Sequence, residues 1–257
     1  MLRSRIPLYT FIGVVVFLYL PLVIVTGNSF NDTRYGGEWN GFTLKWYERL
    51  YTDEKIIDAL RNTLIIAFSS SIAAVIIGTC AALALHKYKN SLLQSAHSII
   101  IYIPLMIPDI LLGISLLMFF VSLKFEFGLF TIFIAHTTFS VSYVTLTVIA
   151  RLQNFDESIM EAAYDLGASK FTSVRRILIP LIAPGIIAGG LMTFILSIDD
   201  FVITFFVSGP GSTTLPLYIY SMMRHGSPMV INSLTTVFII VTFILIFFGQ
   251  KIMEANK

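Results

Sequence analysis

Charge is scarce in this chain. Of its 257 residues, 12% are Asp, Glu, Lys or Arg, against about 25% in soluble domains. Hydrophobic residues make up 56%, and the mean hydropathy is +0.83. A soluble core of this length cannot bury so much apolar surface, so the composition excludes a soluble globular domain and implies an integral membrane protein. The net charge is +2 with the bases scattered, which argues against a nucleic-acid partner. Cysteine is reduced to Cys80. One thiol forms no intrachain disulfide, and its place in an apolar run reads as a small buried hydrophobe. The four histidines, His86, His97, His136 and His225, fall into no HExxH or other metal spacing. No nucleophile elbow, Cys–His pairing or GxxxxGK[ST] phosphate loop occurs. The residues therefore assign no catalytic, cofactor-binding or metal site, and any ATP-driven step must be powered by another subunit.

What is present is hydrocarbon in long runs. The N-terminus, "MLRSRIPLYTFIGVVVFLYLPLVIVTG", has a basic start, but its apolar run of near 19 residues exceeds the 7–15 of a cleaved signal and reads as a retained first span. Six segments reach the ~20 residues that cross a bilayer, at about 8–26, 63–85, 98–122, 129–150, 183–207 and 233–250. Backbone amides in lipid must be satisfied within the segment, and no ~10-residue alternating strands are seen, so these are helices. The expected fold class is all-α, a polytopic membrane protein of six transmembrane helices in a single domain, 1–257.

Basic residues set the orientation. Arg3 and Arg5 precede the first span; Lys87 and Lys89 lie in the 86–97 loop; Arg151, Lys170, Arg175 and Arg176 flank or occupy 151–182; Lys251 and Lys257 are in the tail. The loops on the other side hold Lys124 and Arg224. The positive-inside rule places both termini and 151–182 in the cytoplasm. The 27–61 loop runs against it with Arg34, Lys45, Arg49, Lys55 and Arg61, mixed with Asp32, Glu38, Glu48, Asp53, Glu54 and Asp58.

Residues 156–180, "DESIMEAAYDLGASKFTSVRRILIP", form an amphipathic island between greasy segments. Two short helices around Gly167 are expected. In the first, Ile159, Ala162 or Ala163, and Leu166 form one apolar face, Ser158 and Glu161 have capping-box spacing, and Gly167 ends the helix in the left-handed region. Ser169 then caps a second helix whose apolar face is Phe171, Val174 and Leu178, and Pro180 and Pro184 end or kink the segment. The pattern alone allows an interfacial connector lying on the membrane. The adjacent alanines beside Glu161 favour instead a smooth surface for a docking partner, since a membrane-facing stripe would carry Leu or Phe there.

"EAAYDLGASKFTSVRRILIP" resembles the Glu-Ala-Ala loop of ABC importer permeases: Glu161, Ala162 and Ala163, then Gly167 after three residues, then Ile177 and Pro180 after nine more. Position 179 is Ile where that pattern has Leu. "YLPLVIVTGNSFN", "GFTLKWYERL", "IPLMIPDILLGISLL", "LSIDDFVITFFVSGP" and "TTLPLYIYSMMR" are similar to the spermidine/putrescine permeases, and more narrowly to their second permease subunit. The resemblance implies a type I importer permease (MetI-like) fold in the bacterial inner membrane, a heterodimer with a second permease, a cytoplasmic ATPase dimer and an extracytoplasmic polyamine-binding protein. It implies no cofactor in this chain, ATP and magnesium being bound by the ATPase. It makes Glu161, Ala162, Ala163, Gly167, Ile177 and Pro180 the ATPase-coupling residues.

Asp109, Asp199 and Asp200 lie within apolar segments. Each costs about 2.5–3.5 kcal/mol at a helix centre on insertion scales, so such groups face a bundle interior or a water-filled path. Adjacent residues on a helix diverge by about 100°, so Asp199 and Asp200 cannot both face one point. No Lys or Arg is near them in sequence. That leaves protonation, water, a neighbouring helix or a cationic ligand, and a polyamine, with its ammonium groups on an apolar stem, suits carboxylates with aromatic walls. The candidate substrate-pathway residues are thus Asp109, Asp199, Asp200 and, from the outer loop, Trp46, although tryptophans such as Trp46 and Trp39 are more often interface anchors than ligand platforms. The 208–232 loop either partly re-enters the membrane or forms a turn and an interfacial helix. Two rivals to an importer permease stay open: a secondary transporter with the aspartates as a proton or cation relay, and a permease half that leaves the substrate to its partner.

Overall fold

A chain that must satisfy its own backbone in lipid has little choice but helix. The computed structural model describes residues 6–33, 37–88, 92–153, 155–225 and 228–255, with side chains described over 7–33, 37–88, 99–153, 155–224 and 229–244. Arg3, Arg5, Arg34, Lys89 and Lys257, and the side chains of His97, His225 and Lys251, lie outside the described residues. Among the described residues the structure is helical apart from one isolated bridge, Asn31 to Phe42. The chain divides into two compact units, 1–57 with 218–257, and 58–217.

In the first unit α1 (Ile6–Asn28) and the short α2 (Lys45–Thr52) each pack on α12 (Pro228–Ala255). The apolar stretch of α1 buries nothing inside the chain. A helix that is apolar all round and uncovered by its own protein is built for lipid or a partner. Asn31, itself buried, organises the connection after α1: its amide donates to Glu38 O at 3.0 Å, and its Oδ1 accepts from Asn40 N at 2.9 Å. In the same unit Tyr218 donates to Asp53 at 3.4 Å, and burial, then the Asp53 charge, pushes the Tyr218 hydroxyl above its ordinary pKa.

The second unit holds most of α3 (Glu54–Lys87), followed by α4 (Leu92–Met106), α5 (Asp109–Ser122), α6 (Leu129–Leu152), α7 (Ser158–Asp165), α8 (Lys170–Ser173), α9 (Ile179–Asp199), α10 (Val202–Val207) and the start of α11 (Leu215–His225). Central α6 packs on α9, α4 and α10. Two clusters fill the interior, one of Ile66, Leu112, Phe120, Ile132, Phe139 and Ile203, the other of Ala74, Val144, Val148, Leu152 and Ile182. Small residues let the helices close up, as in other membrane bundles. A Cβ added at Gly78 of α3 would lie 2.8 Å from Val144 Cβ, and the Gly78 carbonyl accepts from Thr145 at 3.2 Å.

Among the described residues four helices are long and apolar enough to cross a membrane, and five if a bent pair counts as one. The expected first, second and fourth spans are α1, α3 and α6. The third, 98–122, is α4 and α5 meeting at 112° across Ile107 and Pro108. The fifth breaks at Asp200, leaving α10 as a separate short helix. The sixth falls in α12, whose described apolar part, Met229–Ile244, is shorter than a span, so six crossings are not established among the described residues. Cys80 is exposed at the helix surface, contrary to its reading as a buried hydrophobe. The 208–232 loop is a turn followed by α11, with Asn62 donating to Gly211 O and Thr213 O at 3.1 Å and Thr63 accepting from Leu215 N at 2.8 Å.

Candidate functional site

Both helix breaks of the second unit open onto one cavity. Pro104, which lacks an N–H, and Pro108, whose extended backbone (ψ 137°) cannot continue a helix, end α4 and start α5 with Asp109 as its first residue. The second break is Asp200, also extended (φ −66°, ψ 119°). The cavity between them, about 220 Å³, is lined by Asp109, Asp199 and Asp200 together with Phe139, Tyr143 and Phe201. Three carboxylates scattered over some 90 residues of sequence thus meet at one place, and among the described residues no Lys or Arg lines it.

Contrary to the expectation that they could not face one point, the adjacent aspartates both line this cavity, because the helix ends at Asp199 and the extended Asp200 no longer follows the 100° step. Their carboxylates differ in what they touch. The Asp200 carboxylate turns inward. It accepts from Ile203 N at 3.3 Å, Thr204 N at 2.8 Å and Thr204 Oγ1 at 2.7 Å, capping α10 in the manner of an N-terminal aspartate. It also lies 3.2 Å from His136 Nε2. Asp199 is exposed, as is Asp109, and among the described residues neither has a hydrogen-bond or ion-pair partner. A carboxylate favours the N-terminus of α5, so part of the cost of Asp109 is met by the helix itself. Aromatic faces beside carboxylates are the chemistry that holds an ammonium group.

At the other end of the unit, the island forms as two short helices. The Asp156 carboxylate accepts from Ser158 N at 3.0 Å, and the Ser158 hydroxyl and N–H hold Asp156 below its ordinary pKa. The helix therefore begins at Ser158 as expected, but Asp156 supplies the cap, and the Ser158–Glu161 capping box is not formed. Gly167 has φ +83°, with Gly167 N bonded to Tyr164 O at 2.8 Å and Ala168 N to Ala163 O at 3.0 Å, the paired bonds of a Schellman end. Ser169 accepts from Thr172 N at 3.2 Å and caps α8. The prolines do not end the next helix: Lys170–Asp199 runs as one 30-residue span. A π turn, Val174–Leu178, precedes Pro180, and such a turn absorbs the amide that proline lacks.

The island's apolar face is partly uncovered: Val174 and Leu178 are half-buried, Leu178 against the second core cluster. Ala163 is buried and Met160 half-buried against the bundle, whereas Ile159 and Ala162 are exposed, Leu166 is 89% exposed and Phe171 73%. Glu161 lies on a second cavity of about 510 Å³ behind α7, with His86, Lys87, Glu157, Tyr164 and Lys170. Ile177 is half-buried and Pro180 exposed.

Residues 56–256 match the family described as "Binding-protein-dependent transport system inner membrane component". The chain belongs to this family of transporter permeases. The permease is 39% identical to the spermidine/putrescine transport system permease protein PotC of Haemophilus influenzae, over 95% of each chain. It is 40% identical to the putrescine transport system permease protein PotI of Escherichia coli, over 86% of this chain and 80% of that one. Its fold resembles that of a bacterial ABC transporter involved in the import of the acidic polysaccharide alginate, with a TM-score of 0.74 over 99% of this chain and 95% of that one at 17% identity. The all-α importer-permease architecture is therefore established.

Trp46 of the permease does not line the carboxylate cavity. It is buried in the first unit, where its indole N–H donates to Asn31 O at 2.9 Å and its carbonyl accepts from Ser233 at 3.4 Å. The reading from residues also passed over His136 except as a metal ligand. The available signal was a histidine in an apolar span, together with Ser197 and Thr204 placed three before and four after Asp200.

Proposed function

We propose that this chain is one of two permeases of a binding-protein-dependent ABC importer of polyamines. The carrying observation is that Asp109 and Asp199, exposed and without partners among the described residues, share a cavity with Phe139, Tyr143 and Phe201. At about 220 Å³ the cavity is smaller than the ~300–1,000 Å³ of drug-sized ligand sites, in keeping with a slender chain or half of a site completed by the second permease. The names of the relatives, which concern spermidine and putrescine, fit that chemistry. In this reading the termini and the island are cytoplasmic, and the exposed face of Ile159, Ala162, Leu166 and Phe171 docks on an ATPase dimer that binds ATP and magnesium. An extracytoplasmic binding protein delivers the substrate. The chain catalyses no reaction of its own, and its 257 residues act as one membrane domain.

The test is uptake of labelled spermidine into vesicles holding the full complex, with putrescine and basic amino acids as competitors. Asp109→Asn and Asp199→Asn are each expected to lower uptake at sub-saturating spermidine by about tenfold or more, the scale of one lost charge-assisted contact, at unchanged membrane level. Normal transport by both variants would overturn the counter-ion role.

A further inference from the structure

His136 is 1% exposed in the third turn of α6 and does not itself line the carboxylate cavity. Its ring joins two elements across the α9–α10 break. Nδ1 lies 2.7 Å from Ser197 Oγ in α9, and Nε2 lies 2.9 Å from Thr204 Oγ1 in α10 and 3.2 Å from Asp200 Oδ2 between them. With Asp200 ionised, Thr204 Oγ1 gives its hydrogen to Asp200 Oδ2 and the carboxylate only accepts, so Nε2 carries the hydrogen that faces Thr204 Oγ1 and Asp200 Oδ2. Ser197 Oγ is in turn 3.3 Å from Ser70 Oγ of α3, which donates to Ile66 O at 2.7 Å. Four helices are tied at the point where the backbone ladder of the fifth span lapses. A buried polar network with its members satisfied rigidifies what it joins.

The consequence falls one residue upstream. Asp200 is fixed at its side chain by His136 and Thr204, so the peptide joining it to Asp199 has a set direction, and Asp199 ends α9 with its carboxylate exposed. We infer that His136 is a positioning residue of the substrate site: through Ser197 and Asp200 it holds the α9–α10 break so that Asp199 is presented to the substrate's ammonium group. This rests on the reading of Asp199 as a substrate carboxylate. It also removes Asp200 from the set of substrate carboxylates and leaves Asp109 and Asp199.

The test is a double-mutant cycle in the full reconstituted importer, reading KM and Vmax for labelled spermidine with His136→Ala, His136→Gln, Ser197→Ala, Asp199→Asn and the pair His136→Ala with Asp199→Asn. His136→Ala is expected to raise KM about tenfold with Vmax nearly unchanged, an effect on binding rather than turnover. His136→Gln, whose amide still donates, recovers most of the loss. In the Asp199→Asn background His136→Ala adds nothing further, because coupled residues are non-additive. Should His136→Ala fail to assemble, Ser197→Ala runs the same cycle from the Nδ1 side. The inference is overturned if Asp199→Asn raises KM but the His136 and Ser197 variants leave it alone, or if their effect persists in full without Asp199. If Asp199→Asn itself leaves KM unchanged, the substrate reading falls, and this inference with it.

Discussion

Whether a polar side chain in an apolar protein serves the ligand or the fold is settled by what its polar atoms touch. Asp199 and Asp200 carry the same carboxylate one residue apart. Asp200 is engaged by two backbone amides, Thr204 and His136, whereas Asp199 is exposed. Trp46 is argued the same way. Its indole N–H is spent on Asn31 O inside the first unit, so Trp46→Phe is expected to cost about 0.5–1.5 kcal/mol of stability, the net worth of one hydrogen bond. A lower thermal midpoint in detergent with spermidine KM unchanged bears this out; a raised KM at unchanged stability returns Trp46 to the pathway. Residue type and position were legible for all these groups. Partnership was not, because His136 and Asp200 are 64 residues apart and meet only through the packing of α6 against α9.

Elements were most legible where local chemistry decides them. Gly167 is read from sequence as a left-handed helix end and is found at φ +83°, since only glycine reaches that region without a Cβ penalty. A Cβ there would touch nothing within 4 Å, so strain and the altered outer surface are the whole effect. Gly167→Val is expected to strain the end of α7 by about 1–2 kcal/mol and to lower ATP-driven uptake at least severalfold. Insertion and membrane level should persist, as immunoblotting of membranes beside the uptake assay would show. Unchanged uptake would detach Gly167 from coupling. The breaks were half legible. Pro104 and Pro108 announce a kink but not its 112°, and the break at Asp200 has only a weak local sign, an aspartate placed to accept from the Ile203 and Thr204 amides. Pro180 does not end the helix: it stands in the first turn of α9, directly after a π turn.

At the scale of the whole molecule, uncovered surface says what this chain lacks. The apolar stretch of α1 buries nothing within the chain, the face of Leu166 and Phe171 is open, and Asp109 and Asp199 are left without cations. A self-sufficient secondary transporter would be expected to close its relay on itself, pairing intramembrane carboxylates with internal bases or with one another. Here the carboxylate with a base is Asp200, and His136 holds it in a network that caps a helix. Under the proposed function, a second permease, an ATPase and a binding protein would cover these surfaces. The decisive measurement separates energy sources. In vesicles holding the complete importer, spermidine uptake is expected to require both ATP and the binding protein and to continue in the presence of a protonophore. Vesicles holding this chain alone are expected to show no uptake above background. Uptake by the isolated chain that a protonophore abolishes would instead make the aspartates a proton-linked relay, and the exposed island would then need a role on the membrane surface in place of an ATPase.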